Sequence, residues 1–191
     1  MSIHHKHRQF LGDALMEAKY CKDSRVTRTS RVFLNDVNNH NTLFGGKLMS
    51  DLDQVASISA ARHSRCECVT ASTDSVDFLR PVRTTDSVCF ESYVTWTGSS
   101  SMEVFVKIVS ENLKTGERHI AATAFLTFVA LDDNNRPTAV PRVIPETEEE
   151  KKLHETAEER ALMRKERKQQ SKALASVLTT ARIWDLYCSH N

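Results

Sequence analysis

Two periodicities divide the chain. After Gly45-Gly46, the stretch KLMSDLDQVASISAARHS carries apolar or small residues at 48, 49, 52, 55, 56, 59 and 60. This is the i, i+3, i+4 spacing of an amphipathic helix, so a helix of about five turns is predicted to follow the glycines. Further on the period becomes two. Val88, Phe90, Val94 and Trp96 share one face of a strand, and Met102, Val104, Val106 and Ile108 share one face of the next. A third run, His119 to Leu131, is apolar on both faces. Lys114-Thr-Gly-Glu117 and Gly98-Ser99 read as the turns between these runs, and the stretch from Asp132 to Pro137 ends the set. Cys68 to Phe78 adds a strand before Pro81, and Arg31 to Leu34 a short one closed by the turn formers Asn35 to Asn41.

Strand, long helix, then four strands joined mostly by tight turns give an α+β layout: an antiparallel sheet with one helix against one face. Residues 1–27 are polar and mixed, with a short helical pattern around Phe10, Leu11, Leu15 and Met16, and read as a leader. Residues 28–145 hold the sheet and its helix. Residues 146–191 form a charged helix and tail, opened by a Thr147/Glu150 capping box and acids, then bases including Arg160, Arg164, Lys165, Arg167 and Lys168. The solvated helix is expected to extend from the domain, and the more apolar end after residue 170 to pack between subunits.

Composition narrows the function. With 191 residues the chain fits one core plus appendages. Its 26 Lys+Arg against 25 Asp+Glu leave a net charge of +1, so no global basic field argues for nucleic acid. No apolar run approaches the ~18–20 residues of a membrane span, and the first residues lack the apolar stretch of a signal peptide. A cytoplasmic location is expected. Five cysteines, with Cys66 and Cys68 two apart on one strand face, read as reduced thiols. His4, His5 and His7 have no matched acid or cysteine cluster, so no metal is expected.

Candidate chemistry gathers at the start of the helix. The Gly45-Gly46 amides sit at the positive end of the helix dipole with no side chain in the way of a carbonyl oxygen, which suits an oxyanion site; alone, paired glycines are ordinary loop punctuation. Of the two acids on the helix, Asp53 lines up with Met49, Ala56 and Ala60, whereas Asp51 shares its side with Lys47 and Gln54. A carboxylate on a small, apolar stripe is costly to bury unless bonded or working, which makes Asp53 a candidate general base or nucleophile. Any of Asn35, Asn38, Asn39 and Asn41 could position a water or bond a carbonyl. The turn Gly98 to Met102 offers hydroxyls and backbone groups to a ligand's polar parts.

Three blocks carry a family resemblance: Asp36 to Ala56 (DVNNHNTLFGGKLMSDLDQVA), Val69 to Phe78 (VTASTDSVDF) and Ser101 to Val104. Together they resemble the acyl-CoA hydrolase branch of the hotdog-fold thioesterases, over about residues 28–165. The resemblance implies a curved antiparallel sheet wrapped around one long central helix, with the C-terminal helix appended. It also implies a homodimer as the functional unit, three dimers in a hexamer, and hydrolysis of fatty acyl-CoA to fatty acid and coenzyme A. No cofactor is implied, since coenzyme A is part of substrate and product. By residue, it makes Asp53 the helix acid that activates water or attacks the thioester, Asn38 the loop asparagine reaching in from the partner subunit, and Gly46 the amide donor to the thioester oxygen. Gly45, Ala71, Ser72, Thr73, Ser100, Ser101 and Met102 are implied to border the coenzyme, with Arg160 and Arg164 near its phosphates. Phe44 stands where some relatives have histidine, which removes a proton donor. Two other readings remain at this level: a non-catalytic acyl-CoA sensor, and a hydratase or dehydratase, which would want a histidine-acid pair near the helix start.

Overall fold

The alternating runs do fold into long antiparallel strands, and the helix after the glycines lies against them. The computed structural model describes residues 16–182. In chain order the elements are β1 (Lys19–Tyr20), α1 (Cys21–Ser24), β2 (Val26–Arg31), α2 (Gly45–Ser64), β3 (Glu67–Phe78), β4 (Asp86–Thr97), β5 (Ser101–Asn112), β6 (Arg118–Leu131), β7 (Val143–Ile144), α3 (Glu148–Glu155) and α4 (Ala157–Ala175). The main sheet runs β2-β4-β5-β6-β3, antiparallel throughout. The two-residue strands β1 and β7 pair parallel at one side. The chain divides into two compact units at Ala157/Glu158.

The central helix α2 buries Leu48, Leu52, Val55, Ala56, Ser59 and Ala60, the stripe that its spacing predicts. Against it lie Met102, Val104, Val106 and Ile108 of β5 and Ala122, Ala124, Leu126 and Phe128 of β6, all buried. Burial of the Leu, Val, Ile, Met and Phe side chains among these supplies about 1.5–3 kcal/mol each before entropy is counted. The inner strands are covered on both faces. On the side away from α2, Tyr93, Phe105 and Phe125 form an edge-to-tilted aromatic row with centroids 5.9 and 5.1 Å apart.

The termini depart from expectation. Residues 19–27 belong to the fold: Cys21 and Ser24 are buried, and Ser24 Oγ accepts the Val94 amide at 2.9 Å. The early strand lies at Val26–Arg31, before the predicted Arg31–Leu34; Leu34–Asp36 is instead a 3-10 turn. Val26–Arg31 carries no apolar alternation, because Val26 is its only buried residue and the other five are polar. Phe10, Leu11 and Leu15 fall outside the described residues. The Thr147/Glu150 capping box forms, with the Thr147 amide donating to Glu150 Oε2 at 3.0 Å and the Glu150 amide to Thr147 Oγ1 at 3.2 Å. The helix it opens is docked, not solvated. Arg25 pairs with Glu91 and Glu150 and stacks 4.2 Å over the Tyr93 ring. Tyr93 Oη donates to Glu149 at 2.7 Å, and Lys107 Nζ reaches the same carboxylate at 2.9 Å. The acids that read as a solvated helix turn are thus paired across the sheet, and α3 goes with the first unit.

Cys21, Cys66, Cys68 and Cys89 are free thiols. Burial pushes the Cys21 thiol up to about 12, so it is a buried apolar group at neutral pH. Among the described residues no helix is long and apolar enough to cross a membrane.

Candidate active site

The helix start is built to leave amides exposed. Phe44 is its N-cap in an extended conformation and offers no side-chain bond. The first helical bond runs from the Leu48 amide to the Phe44 carbonyl at 3.1 Å, so the amides of Gly45, Gly46 and Lys47 have no acceptor within the helix. The absence of side chains matters at Gly46: a Cβ there would come 2.5 Å from the Phe44 ring. At Gly45 the nearest neighbour is the Phe78 ring, 3.8 Å from a would-be Cβ. The glycine pair therefore lies between two aromatic side chains, both more than half exposed.

Asn38 occupies a loop closed by the Val37–Leu43 bridge, with Asn41 in the left-handed region at φ 57°. Its Oδ1 accepts from the His40 amide at 2.9 Å and from the Thr42 hydroxyl at 3.2 Å. Those bonds fix the orientation of the amide and leave Nδ2 with no acceptor among the described residues. A cavity of about 420 Å³ opens here, lined by Asn38, Thr42, Gly45, Leu48, Phe78 and Val82 among others. Asn38 and Gly45 are thus brought together.

The Lys47–Asp51 pairing that the wheel suggests does form, but Asp51 and not Asp53 is the buried acid. Asp51 is the buried one, 3% exposed, because Lys47 at 2.6 Å and Arg28 of β2 at 3.2 Å cover and neutralise it. Asp53 is half-buried and turned toward β3, where Thr70 Oγ1 donates to its Oδ1 at 2.8 Å. Among the described residues no cation lies within ion-pairing distance of Asp53. Asp53 follows Gly46 by seven residues, about 10 Å along the helix axis. Within one chain the two therefore stand about two helical turns apart.

The remaining candidates scatter. Ala71 is the residue left unpaired where the β3–β6 register shifts between Thr70 and Ser72. Ser72 Oγ donates to Asp74 at 2.6 Å, and Thr73 is exposed on the same strand. Ser100 and Ser101 lie at the β4–β5 turn, half-buried, with the Ser100 carbonyl taking the Ala130 amide at 3.0 Å. Met102 corrects an expectation: it is 0% exposed and paired with Thr97 and Phe128 on either side, so it is core and has no surface for a ligand. Arg160 and Arg164 lie on α4, within the second unit. His4, His5 and His7 lie outside the described residues. Thr70, the hydrogen-bond donor to Asp53, is a residue the sequence reading missed; only the packing of β3 beside α2 reveals it.

The family model for the thioesterase superfamily matches residues 40–117. The chain is 66% identical over 168 residues to the uncharacterized acyl-CoA thioester hydrolase YkhA of Bacillus subtilis, covering 88% of this chain and 98% of that one. The acyl-CoA hydrolase of Bacillus cereus is similar in structure, with a TM-score of 0.83 at 62% identity over 85% of this chain and 99% of that one. The acyl-CoA hydrolase of Staphylococcus aureus, solved with butyryl coenzyme A, coenzyme A and coenzyme A disulfide, gives 0.80 at 42% identity over 83% and 97%. Alanine variants of that protein change an asparagine, an aspartate 15 residues later and a threonine 17 residues after that. Structural neighbours also include a hexameric acyl-CoA thioesterase, with a TM-score of 0.76 at 44% identity over 78% of this chain and 97% of that one.

Proposed function

Because the chain belongs to the thioesterase superfamily, we propose that it hydrolyses fatty acyl-CoA to free fatty acid and coenzyme A at a site shared by two copies of the chain. One observation carries this reading. Asn38, Asp53 and Thr70 stand 15 and 17 residues apart, as do the three residues varied in the Staphylococcus aureus hydrolase, and Thr70 bonds Asp53 here.

In this mechanism Asp53 takes a proton from a water oriented by Asn38 Nδ2, and the water oxygen adds to the thioester carbonyl carbon. The Gly46 amide, beside that of Gly45, holds the oxyanion that forms. Collapse breaks the C–S bond, and the thiolate leaves with the proton that Asp53 received. Asp51 is spent on Lys47 and Arg28; Asp53, held by one hydroxyl, keeps an oxygen for this work. The ~10 Å between Gly46 and Asp53 on one helix supports a site that takes its carboxylate from one chain and its amides and Asn38 from another. The free edge of β3 is where a second chain would join, pairing dimers that assemble by threes. Ser72, Thr73, Ala71, Ser100 and Ser101 are assigned to the coenzyme, and Arg160 and Arg164 to its phosphates. The reaction needs no further cofactor, and the cytoplasmic location stands as part of this reading.

A thiol-reporting reagent tests it. Steady release of free coenzyme A is expected from acyl-CoA of several chain lengths, whereas binding without release indicates a sensor. Asp53→Asn should lower turnover by about 10²–10⁴ with circular dichroism and native mass unchanged. Wild-type turnover in that variant removes Asp53 from the mechanism.

A further inference from the structure

The net charge of +1 hides a strongly basic segment. Between residues 160 and 182 the chain has seven Lys+Arg and a single acid, Glu166. On α4, Lys165, Lys168 and Lys172 recur at i, i+3 and i+7, along one face of the helix. Lys165, Lys168 and Lys172 are exposed. The end of the helix changes character. Leu174, Val177 and Leu178 follow at i, i+3 and i+4, exposed by 58%, 78% and 62%. The helix ends at Ala175, and the bonds from the Ser176 amide to the Lys172 carbonyl and from the Val177 amide to the Leu174 carbonyl, both 3.1 Å, close one more turn as far as Val177, with Leu178 in a bend.

A row of cations asks for a surface of fixed anions, and an exposed apolar cluster beside it asks for a medium into which it can sink. Nucleic acid supplies the first and not the second. An apolar protein groove supplies the second and not the first. An anionic phospholipid bilayer supplies both, with the lysine stems lying along the interface and the leucines and valine below the headgroups. We propose that Lys165, Lys168 and Lys172 of α4, with Leu174, Val177 and Leu178 at and just beyond its end, form a peripheral docking surface for anionic phospholipid bilayers. The surface lies wholly in the second unit and stands whether or not the catalytic reading holds. Peripheral binding needs no spanning helix.

The test is co-sedimentation of the full chain with phosphatidylcholine vesicles made with and without phosphatidylglycerol. Partition onto the anionic vesicles, weakening as salt rises, is expected. Changing Lys165, Lys168 and Lys172 together to Gln should weaken partition by about a hundredfold, and changing Leu174, Val177 and Leu178 to Ser should weaken it while leaving its salt dependence. Both triple variants should release coenzyme A from a short-chain acyl-CoA at the wild-type rate. Three results overturn the proposal: no partition at low salt; equal partition onto neutral vesicles; or retention on heparin without vesicle binding, which marks a general polyanion site. Loss of native oligomer mass in the Leu174/Val177/Leu178 variant, without vesicle binding by wild type, assigns the apolar cluster to a second copy of the chain.

Discussion

At the scale of single residues, the informative contrast is between Asp51 and Asp53. Two positions apart, they point roughly 200° apart on the helix, and the wheel can rank their neighbours on α2 but not what the sheet brings to each. Arg28 comes from β2 and Thr70 from β3, neither of them adjacent in sequence, so the wheel shows the Lys47–Asp51 pair but not the cation and the hydroxyl that the sheet adds. Asn38 was one of several loop asparagines on composition, and the structure sets it apart by using Oδ1 and sparing Nδ2. The Thr70 bond has a measurable consequence. A hydrogen bond to a charged group contributes about 1.5–3 kcal/mol, so Thr70→Val should lower kcat by about 10–100-fold with little change in KM if the bond aligns Asp53. Thr70→Ser, which keeps the hydroxyl, should recover most of that loss in the same steady-state assay.

At the scale of elements, period explains which parts were legible. The central helix and the strands β4 to β6 repeat their apolar positions over many residues, so α2 and its buried stripe could be read directly. β2 and α3 could not: β2 has only Val26 as a buried apolar residue, and α3 carries the buried Glu150 and the exposed Glu149, whose partners Arg25 and Lys107 lie far off in sequence. Burial pushes the Glu150 carboxyl up, but the Thr147 and Glu146 amides and the Arg25 guanidinium outweigh it and hold it below the ordinary range. That contribution is present above about pH 4.5 and is lost as pH falls through the depressed value. His63, at the last turn of α2, adds a second acid-sensitive element. Its Nε2 meets the Pro141 carbonyl at 2.8 Å, while Nδ1 is buried without a partner. Burial drives its pKa down, and the Pro141 carbonyl offsets this only in part. The unfolded chain therefore takes up the proton first, and stability should fall as pH drops below about 6.5. Urea midpoints measured at stepwise pH should show this fall in wild type, and His63→Gln should flatten it between pH 7 and 5.

At the scale of the whole molecule, the spacing of the candidate groups along α2 bears on how the proposed site is assembled. Asn38 and Gly45 share a cavity, while Asp53 sits farther along the same helix beside β3. Sequence motifs name these residues but do not say how many chains they need. If the site is shared as proposed, Asn38→Ala and Asp53→Ala chains are each inactive alone, yet a heterodimer of the two holds one intact site. Unfolding and refolding the two together in equal amounts should therefore return about a quarter of wild-type activity. Hybrids verified by native mass that stay inactive place both residues in one chain's site.

The β3 edge has one more consequence. A twelve-residue strand that closes the sheet on one side carries a row of backbone donors and acceptors toward whatever comes next. If that neighbour is a second copy completing the chemistry, turnover per chain becomes a matter of mass action. Specific activity should then drop on dilution and return after a lag when the protein is concentrated, with no loss of helical signal in between.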